Sequence, residues 1–553
     1  MSLPGRGYAI GIDFGTESGR TLLLDLDSGV EVLSVEVGYA HGVLDETLPG
    51  TGEQLPPDWA LQHPDDWIAV VNDGVSGVLA QSGIDAAQVC GIGVDFTSCT
   101  VLPVTADGVP LSSLEQWCSR KHAWPKLWKH HAAQPVADRL NDVAQARSEP
   151  FLECYGGRIS SEWYFPKLIE LWLEDREVYD AAAAFVEATD WIVWWLTGRE
   201  CRQLCTAGYK ALWSPDAGLP SLEYFTAAYP GFDEPAAKLG KTFVPLGSRA
   251  GALRAELAAQ LGLTDTVAVA VGNVDSFVSV PGAGVDRPGT FVTVVGTSTC
   301  DMIVDHREVR LPGITGVLKD GIIPGLYGYE AGQAAVGDML AWLIRRIAPA
   351  RTYEELERAA SEMGAGQTGL VALDWWNGNR TILADADLTG AIFGLTLSTT
   401  VEQLYRALLE SIAFGNRRIM DNFEEHGLPL QEIVACGGIA HRSPLLMQIL
   451  ADTSGRPVHV PASSEIPARG AALFGAVAAG VFASIGDALE ATKVATAFTY
   501  TPDANAKAIH DEVYAVYRDL YDTLGRRQAG LMHQLKEIRA SARSHTALAG
   551  NSR

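Results

Sequence analysis

The chain has 553 residues, enough for more than one domain at roughly 100–200 residues each. Apolar residues make up 47% and charged residues 20%, a globular rather than a disordered balance. The formal charge of -25 lacks the basic excess of a nucleic-acid binder.

No apolar run reaches the ~18 residues of a membrane span. The nearest, AALFGAVAAGVFASIG at 471–486, is small-residue rich and reads as a buried, closely packed helix. The first residues lead almost at once into a strand-like segment, without the charged and apolar regions of a secretory leader. Eight scattered cysteines contain no Cys-x-x-Cys pair. The expectation is a reduced, cytoplasmic protein with neither a nucleic-acid nor a membrane partner. A homodimer is compatible with the sequence, which does not fix the oligomeric state.

In chain order, YAIGID at 8–13, RTLLLDL at 20–26 and VEVLSVEV at 30–37 predict three strands, joined as hairpins by FGTESG and DSG. VAVAVGNVDS at 267–276 is an apolar strand that ends in Gly-Asn-x-Asp. TFVTVV at 290–295 and DMIVD at 301–305 then flank GTST as the first two strands flank FGTESG. Aligned on Gly-Thr, F14-G15-T16-E17-S18 matches V295-G296-T297-S298-T299, so Ser18 falls opposite Thr299. EIVACGGIAHRSPLLMQILADTSG at 432–455 predicts a strand, a double-glycine turn and an amphipathic helix. One long surface-packed helix is expected over 503–539. With helices alternating with strands after each hairpin, the chain divides into two α/β domains, 1–284 and 285–545, and a disordered tail at 546–553.

A phosphate cradle needs inward backbone N–H groups and glycine for close approach. Gly15, Thr16 and Ser18 offer this in the first hairpin, and Gly296, Thr297 and Ser298 in the second. Neither is a Walker loop. Two such turns in equivalent places can grip one polyphosphate across a cleft, whereas either alone is usually only a turn. Asp13, at a strand end, suits Mg²⁺ held through water, or bonds its own backbone as a hairpin-end Asp. Arg20 either reaches the transferring phosphate or is an exposed strand residue. Asp275 ends a strand where open α/β sheets place reactive groups; it is the candidate catalytic base, with an ordinary cap as the plainer reading. Gly437 and Gly438 would let a flat base lie against the backbone, with Ser443 near the helix start.

These segments, in this order, resemble the FGGY family of carbohydrate kinases: GIDFGTESGR, EWYFPKLIELWLED at 162–175, ATDWIVWWLTG at 188–198, GNVDS, VVGTSTC and CGGIAHRSPLLMQILAD. The resemblance covers about 8–490 and implies two actin-like, ribonuclease H-like domains flanking a catalytic cleft. Sugar would bind in the first and ATP in the second. It further implies Asp275 as base, the two Gly-Thr turns on the phosphates, and Gly437, Gly438 and Ser443 near adenosine; Asp13 and Asp275 are the expected Mg²⁺ residues. Ser443 stands where glycerol-kinase-like members carry Asn. VDFTSCT at 94–100, LWKHHAA at 127–133, TAGYKALW at 206–213 and YGYEAGQAAVGDM at 327–339 resemble the branch that phosphorylates L-ribulose. There the resemblance places Ser98, Lys210, Asp275 and Glu330 on the sugar, with Ser98 where Ala is common. Trp128 either stacks on the sugar or packs in the core. The alternatives are a kinase for another ketopentose or pentitol, and a non-catalytic actin-like nucleotide-driven sugar sensor.

Overall fold

In the computed structural model, which describes residues 5–550, the chain opens with Tyr8–Phe14 (β1), Ser18–Asp25 (β2) and Glu31–Gly38 (β3), paired as antiparallel hairpins. β1 is buried along nearly all its length, as a strand covered on both faces must be. Its other edge pairs in parallel with Val89–Phe96 (β4). Ala268–Ala270 adds in parallel to β4, and Arg249–Ala252 closes that edge antiparallel.

The second sheet repeats the plan. Thr290–Val295 and Thr299–Asp305 form its hairpin, and Tyr327–Ala331 and Gly316–Lys319 extend one side. Glu432–Cys436 and Val458–Pro461 add in parallel on the other side, and Thr496–Tyr500 ends it antiparallel. Hairpin, third antiparallel strand, then parallel strands: the actin-like unit is built twice.

The two hairpin turns are not the same length. Phe14 pairs with Gly19 across four turn residues, whereas Val295 pairs with Thr299 across three. The Gly15 N–H donates to the Ser18 carbonyl (3.0 Å) and the Gly296 N–H to the Ser298 carbonyl (2.9 Å). Ser18 is thus equivalent to Ser298, not to Thr299 as the ungapped alignment has it.

Two helices fill the space between the sheets. Asp275–Gly282 comes from the first half of the chain and Ile466–Ala478 from the second. Ile466–Ala478 lies against β1 and β4, the sheet of the other half, and glycines let it come close. A Cβ on Gly11 would meet the Ala468 carbonyl oxygen at 1.7 Å, and one on Gly93 the Ala471 oxygen at 1.8 Å. The helices touch each other in the same way, Gly470 against the Val278 carbonyl and Gly282 against that of Ile466, both at 2.1 Å. One hydrophobic core therefore runs between the sheets: Ala9 and Leu24 from the first, Val292 and Met302 from the second, Phe277, Val278, Ala472 and Leu473 from the helices.

Two sequence expectations are corrected. The segment 471–486 is not one helix: Ile466–Ala478 stops before Gly480, left-handed at φ 76°, and a separate helix begins at Ile485. The 503–539 segment is likewise broken into Ala504–Asp522, a wide turn Thr523–Arg527, and Gly530–Gly550. The break lets Gly525 pack on Leu383 and Trp375. Of the tail expected to be disordered, 546–550 belongs to this last helix, and 551–553 lie outside the described residues. Among the described residues no helix is long and apolar enough to cross a membrane.

Candidate active site

The parallel register of β1 and β4 sets Gly11-Ile12-Asp13-Phe14 beside Gly93-Val94-Asp95-Phe96, residue for residue. The glycines admit the Ile466–Ala478 helix, the phenylalanine rings stack at 4.9 Å, and the two aspartates stand side by side at the strand ends. Asp95 is fully buried and Asp13 nearly so. Neither Asp95 oxygen has a hydrogen-bond donor. Burial, then the neighbouring carboxylates of Asp13 and Asp275, drive Asp95 well above the usual carboxylate range. Asp13 is raised too, chiefly by burial, against the pull of Asp95 as a shared-proton partner and of Arg20. Two acceptors facing each other are satisfied only by a proton or a cation between them.

Asp275 opens its helix, where the helix dipole favours a carboxylate. Burial, with Asp13 and Glu330 adding like charge, nevertheless lifts it to about 7, against the Ser276 N–H that donates to Oδ1 at 2.6 Å. A carboxyl poised near neutrality suits proton abstraction.

The first hairpin turn is braced from outside: Tyr39 donates to the Gly15 carbonyl (3.0 Å), Gln62 to the Thr16 carbonyl (2.8 Å), and the Trp128 indole to Thr16 Oγ1 (3.1 Å). Trp128 thus holds the turn through its N–H while partly packed in the core. The Ser18 hydroxyl donates to Glu36 (2.8 Å), and Arg20 bridges Glu36 (2.9 Å), Glu465 (3.7 Å) and Asp13 (3.9 Å). In the second turn, the Val336 N–H donates to the Thr297 carbonyl (2.8 Å) and the Gly337 N–H to that of Gly296 (3.1 Å). Gly437, at φ 91°, packs on this hairpin so closely that a Cβ would lie 2.7 Å from the Val295 carbonyl oxygen. Ser443 caps the helix Pro444–Ser454 and donates to Glu357 (2.8 Å), so its hydroxyl is already engaged.

Lys210 ends the helix Leu204–Lys210 of the first half; Glu330 lies in Tyr327–Ala331 of the second. Their side chains are 5% and 10% exposed and meet at 2.5 Å, a buried ion pair across the two halves rather than a surface one. Burial would lower the Lys210 ammonium, but Glu330, Cys99 and Glu162 together outweigh it and hold the pKa above its ordinary value. Ser98 is half-buried, its hydroxyl 3.4 Å from the sulfur of Cys99, whose thiol lies in the field of Lys210. Charge thus links Asp13, Asp95, Asp275, Glu330, Lys210 and the 97–100 loop in one place.

The family match decides the class. The sequence model of the N-terminal domain of the FGGY family of carbohydrate kinases matches residues 8–282, and that of its C-terminal domain residues 291–479. The chain belongs to the FGGY family of carbohydrate kinases. Membership makes ATP the substrate that supplies the phosphoryl group. This FGGY kinase is 47% identical to a protein named ribulokinase from Anoxybacillus flavithermus over 98% of both chains. It is 43% identical to one from Mycolicibacterium smegmatis, again over 98% of both. Among solved structures, a xylulose kinase from Rhodospirillum rubrum superposes with a TM-score of 0.79 at 25% identity, covering 95% of this chain and all of the other.

Sequence reading of this FGGY kinase missed Asp95, although the signal was present: Gly-x-Asp-Phe occurs at 11–14 and again at 93–96. It also missed Arg380, half-buried in the field of Glu162, Glu330 and Asp301, whose guanidinium has no hydrogen bond or ion pair among the described residues. No local pattern marks that arginine. Among the described residues no group of three or more His, Cys, Asp or Glu side chains is arranged to hold a metal ion directly.

Proposed function

We propose that this kinase transfers the γ-phosphoryl group of ATP to O5 of L-ribulose, giving L-ribulose 5-phosphate and ADP. The observation that carries the reading is the buried Lys210–Glu330 pair in the field of a carboxyl poised at about 7, Asp275. Lys210 offers donors to sugar oxygens, Glu330 and Ser98 accept or donate at hydroxyls, and Asp275 takes the O5 proton as the O5–P bond forms and the bond to ADP breaks. Arg380, without a hydrogen bond or ion pair among the described residues, is assigned to oxygens of the sugar or of the transferring group. The amides of the turns at Gly15-Thr16 and Gly296-Thr297-Ser298 are read as phosphate donors, and Gly437-Gly438 as the floor under adenosine.

Mg²⁺ fits this chemistry. Asp13 and Asp95 are two buried acceptors without a donor between them, a donor set that a divalent cation neutralises through its water shell. Asp13, with Asp95 and Asp275 behind it, would hold the ion, which when bound neutralises charge on the phosphate oxygens. The relatives' name, ribulokinase, and the LWKHHAA and TAGYKALW segments support L-ribulose over other ketopentoses, and with it a step in arabinose breakdown. The eight free cysteines accord with a reducing, cytoplasmic setting.

The test is ADP release measured with a panel of ketopentoses and pentitols and with no sugar. L-ribulose should give the highest kcat/KM. A higher value with D-xylulose or a pentitol would overturn the substrate, and release independent of every sugar would overturn the kinase reading.

A further inference from the structure

Lys167 lies on the helix Tyr164–Glu174 and is wholly buried. The partners of its ammonium are carbonyls: Nζ donates to Cys99 O at 2.7 Å and to Leu127 O at 2.8 Å. Burial pushes the ammonium down to about 8, so the arrangement is costly where a Met or Leu would fill the same space. What a lysine adds there is control of two carbonyl dipoles.

Both carbonyls belong to the site. Cys99 follows Ser98 in the 97–100 loop and has φ 64°, a left-handed conformation that a residue with a Cβ rarely adopts. The ends of that loop are tied by the backbone, the Thr97 N–H to Phe14 O (3.2 Å) and the Ala188 N–H to Thr100 O (2.7 Å). Its middle is turned at Cys99, where the ammonium takes the carbonyl. Leu127 precedes Trp128, whose indole N–H holds Thr16 of the first hairpin. Lys126, next to Leu127, is fastened to the same helix by Glu170.

We infer that Lys167 is a positioning residue for phosphoryl transfer: it holds Cys99 in its left-handed conformation and so aims Ser98 and the 97–100 loop at the sugar. The inference rests on the reading of that loop as sugar-facing. Its alternative is that Lys167 merely staples a helix to two loops, with no effect on how the sugar is held.

The experiment compares the full-length wild type with Lys167→Met, Cys99→Gly and the double variant. Each is read by hydrogen exchange of the ligand-free protein and by steady-state kinetics with the preferred sugar. In Lys167→Met, amides 97–101 should exchange faster while the two sheets keep their protection. The sugar KM should rise roughly 10- to 100-fold with the ATP KM changed less than about threefold. Adding Cys99→Gly should recover part of the sugar KM, because glycine takes positive φ without help. Unchanged exchange at 97–101, or sugar and ATP constants worsening equally with no recovery from glycine, would overturn the role. Should Lys167→Met not fold, Lys167→Arg carries the same test, since a planar fork cannot place two donors as the ammonium does. Hydrogen exchange reads the loop even if the wild type is inactive on every sugar, so failure of the functional reading and failure of this inference remain distinct.

Discussion

Asp275 joins two properties that a substitution separates. As the proposed base it must lose its proton, yet in the ligand-free fold it keeps it up to about pH 7. The folded state therefore holds a proton that the unfolded chain, with an ordinary value of 3.8, releases. The stability from this group is complete below that ordinary value and is lost as pH rises through about 7. Asp275→Asn should raise Tm relative to wild type more at pH 8 than at pH 5, in thermal melts with chelator. Its turnover should fall by roughly 10²–10⁴ while calorimetry still detects sugar binding. Equal Tm differences at both pH values would mean that burial and Asp13 do not hold the Asp275 proton in the folded state. Lys210 and Glu330 carry a related duality: removing one partner strands the other in a buried site. Lys210→Met and Glu330→Gln should each destabilise by roughly 3–5 kcal/mol, and the double variant should recover much of that. Both singles should lower kcat/KM for sugar while leaving nucleotide titration without sugar nearly unchanged. Asp13 and Asp275 were legible as candidates because each ends an apolar strand segment, whereas Lys210 and Glu330 were reached only through the family resemblance. That Lys210 and Glu330 meet was not legible, since 120 residues separate them and charge alone does not name a partner.

At the level of elements, the hairpins were readable because apolar alternation broken by Gly-Thr is a local signal, and it recurs. Their one-residue difference in turn length was not, because it is decided by which carbonyl closes the turn. The two turns also differ in support, and a volume-conserving change exposes it. Thr297→Val should weaken ATP or transition-state binding by roughly 1–3 kcal/mol with little change in melting. Thr16→Val should do the same and also destabilise, because it leaves the Trp128 indole N–H unpaired. Equal melting losses in the two variants, or an ATP effect from only one, would contradict this assignment. The Ile466–Ala478 helix was legible as buried from its small residues, but they do not say what approaches. The structure does: backbone on backbone at Gly11 and Gly93. Gly93→Ala should cost roughly 1–3 kcal/mol or more in denaturant melts, whereas Gly38→Ala, with nothing within 4 Å of its Cβ position, should be near neutral.

For the whole molecule, each half lends an element to the space between the sheets, and the candidate site draws on both halves. Asp13, Asp95 and Asp275 stand on the first half, Glu330 and the second turn on the other, so chemistry depends on how the halves meet. A sequence repeat could announce two similar halves, but not that a helix of the second would cover the sheet of the first, because long-range packing leaves no periodic trace. With phosphate donors proposed on both halves and sugar groups mainly on the first, closing the cleft would keep water from the γ-phosphate until both ligands are bound. The direct test of the account is the ³¹P spectrum of the enzyme incubated with ATP, Mg²⁺ and L-ribulose. It should gain one phosphomonoester resonance coupled to the C5 methylene protons, matched by loss of the γ-phosphate and absent without sugar. Inorganic phosphate in place of that ester, or an ester on another carbon, would contradict it.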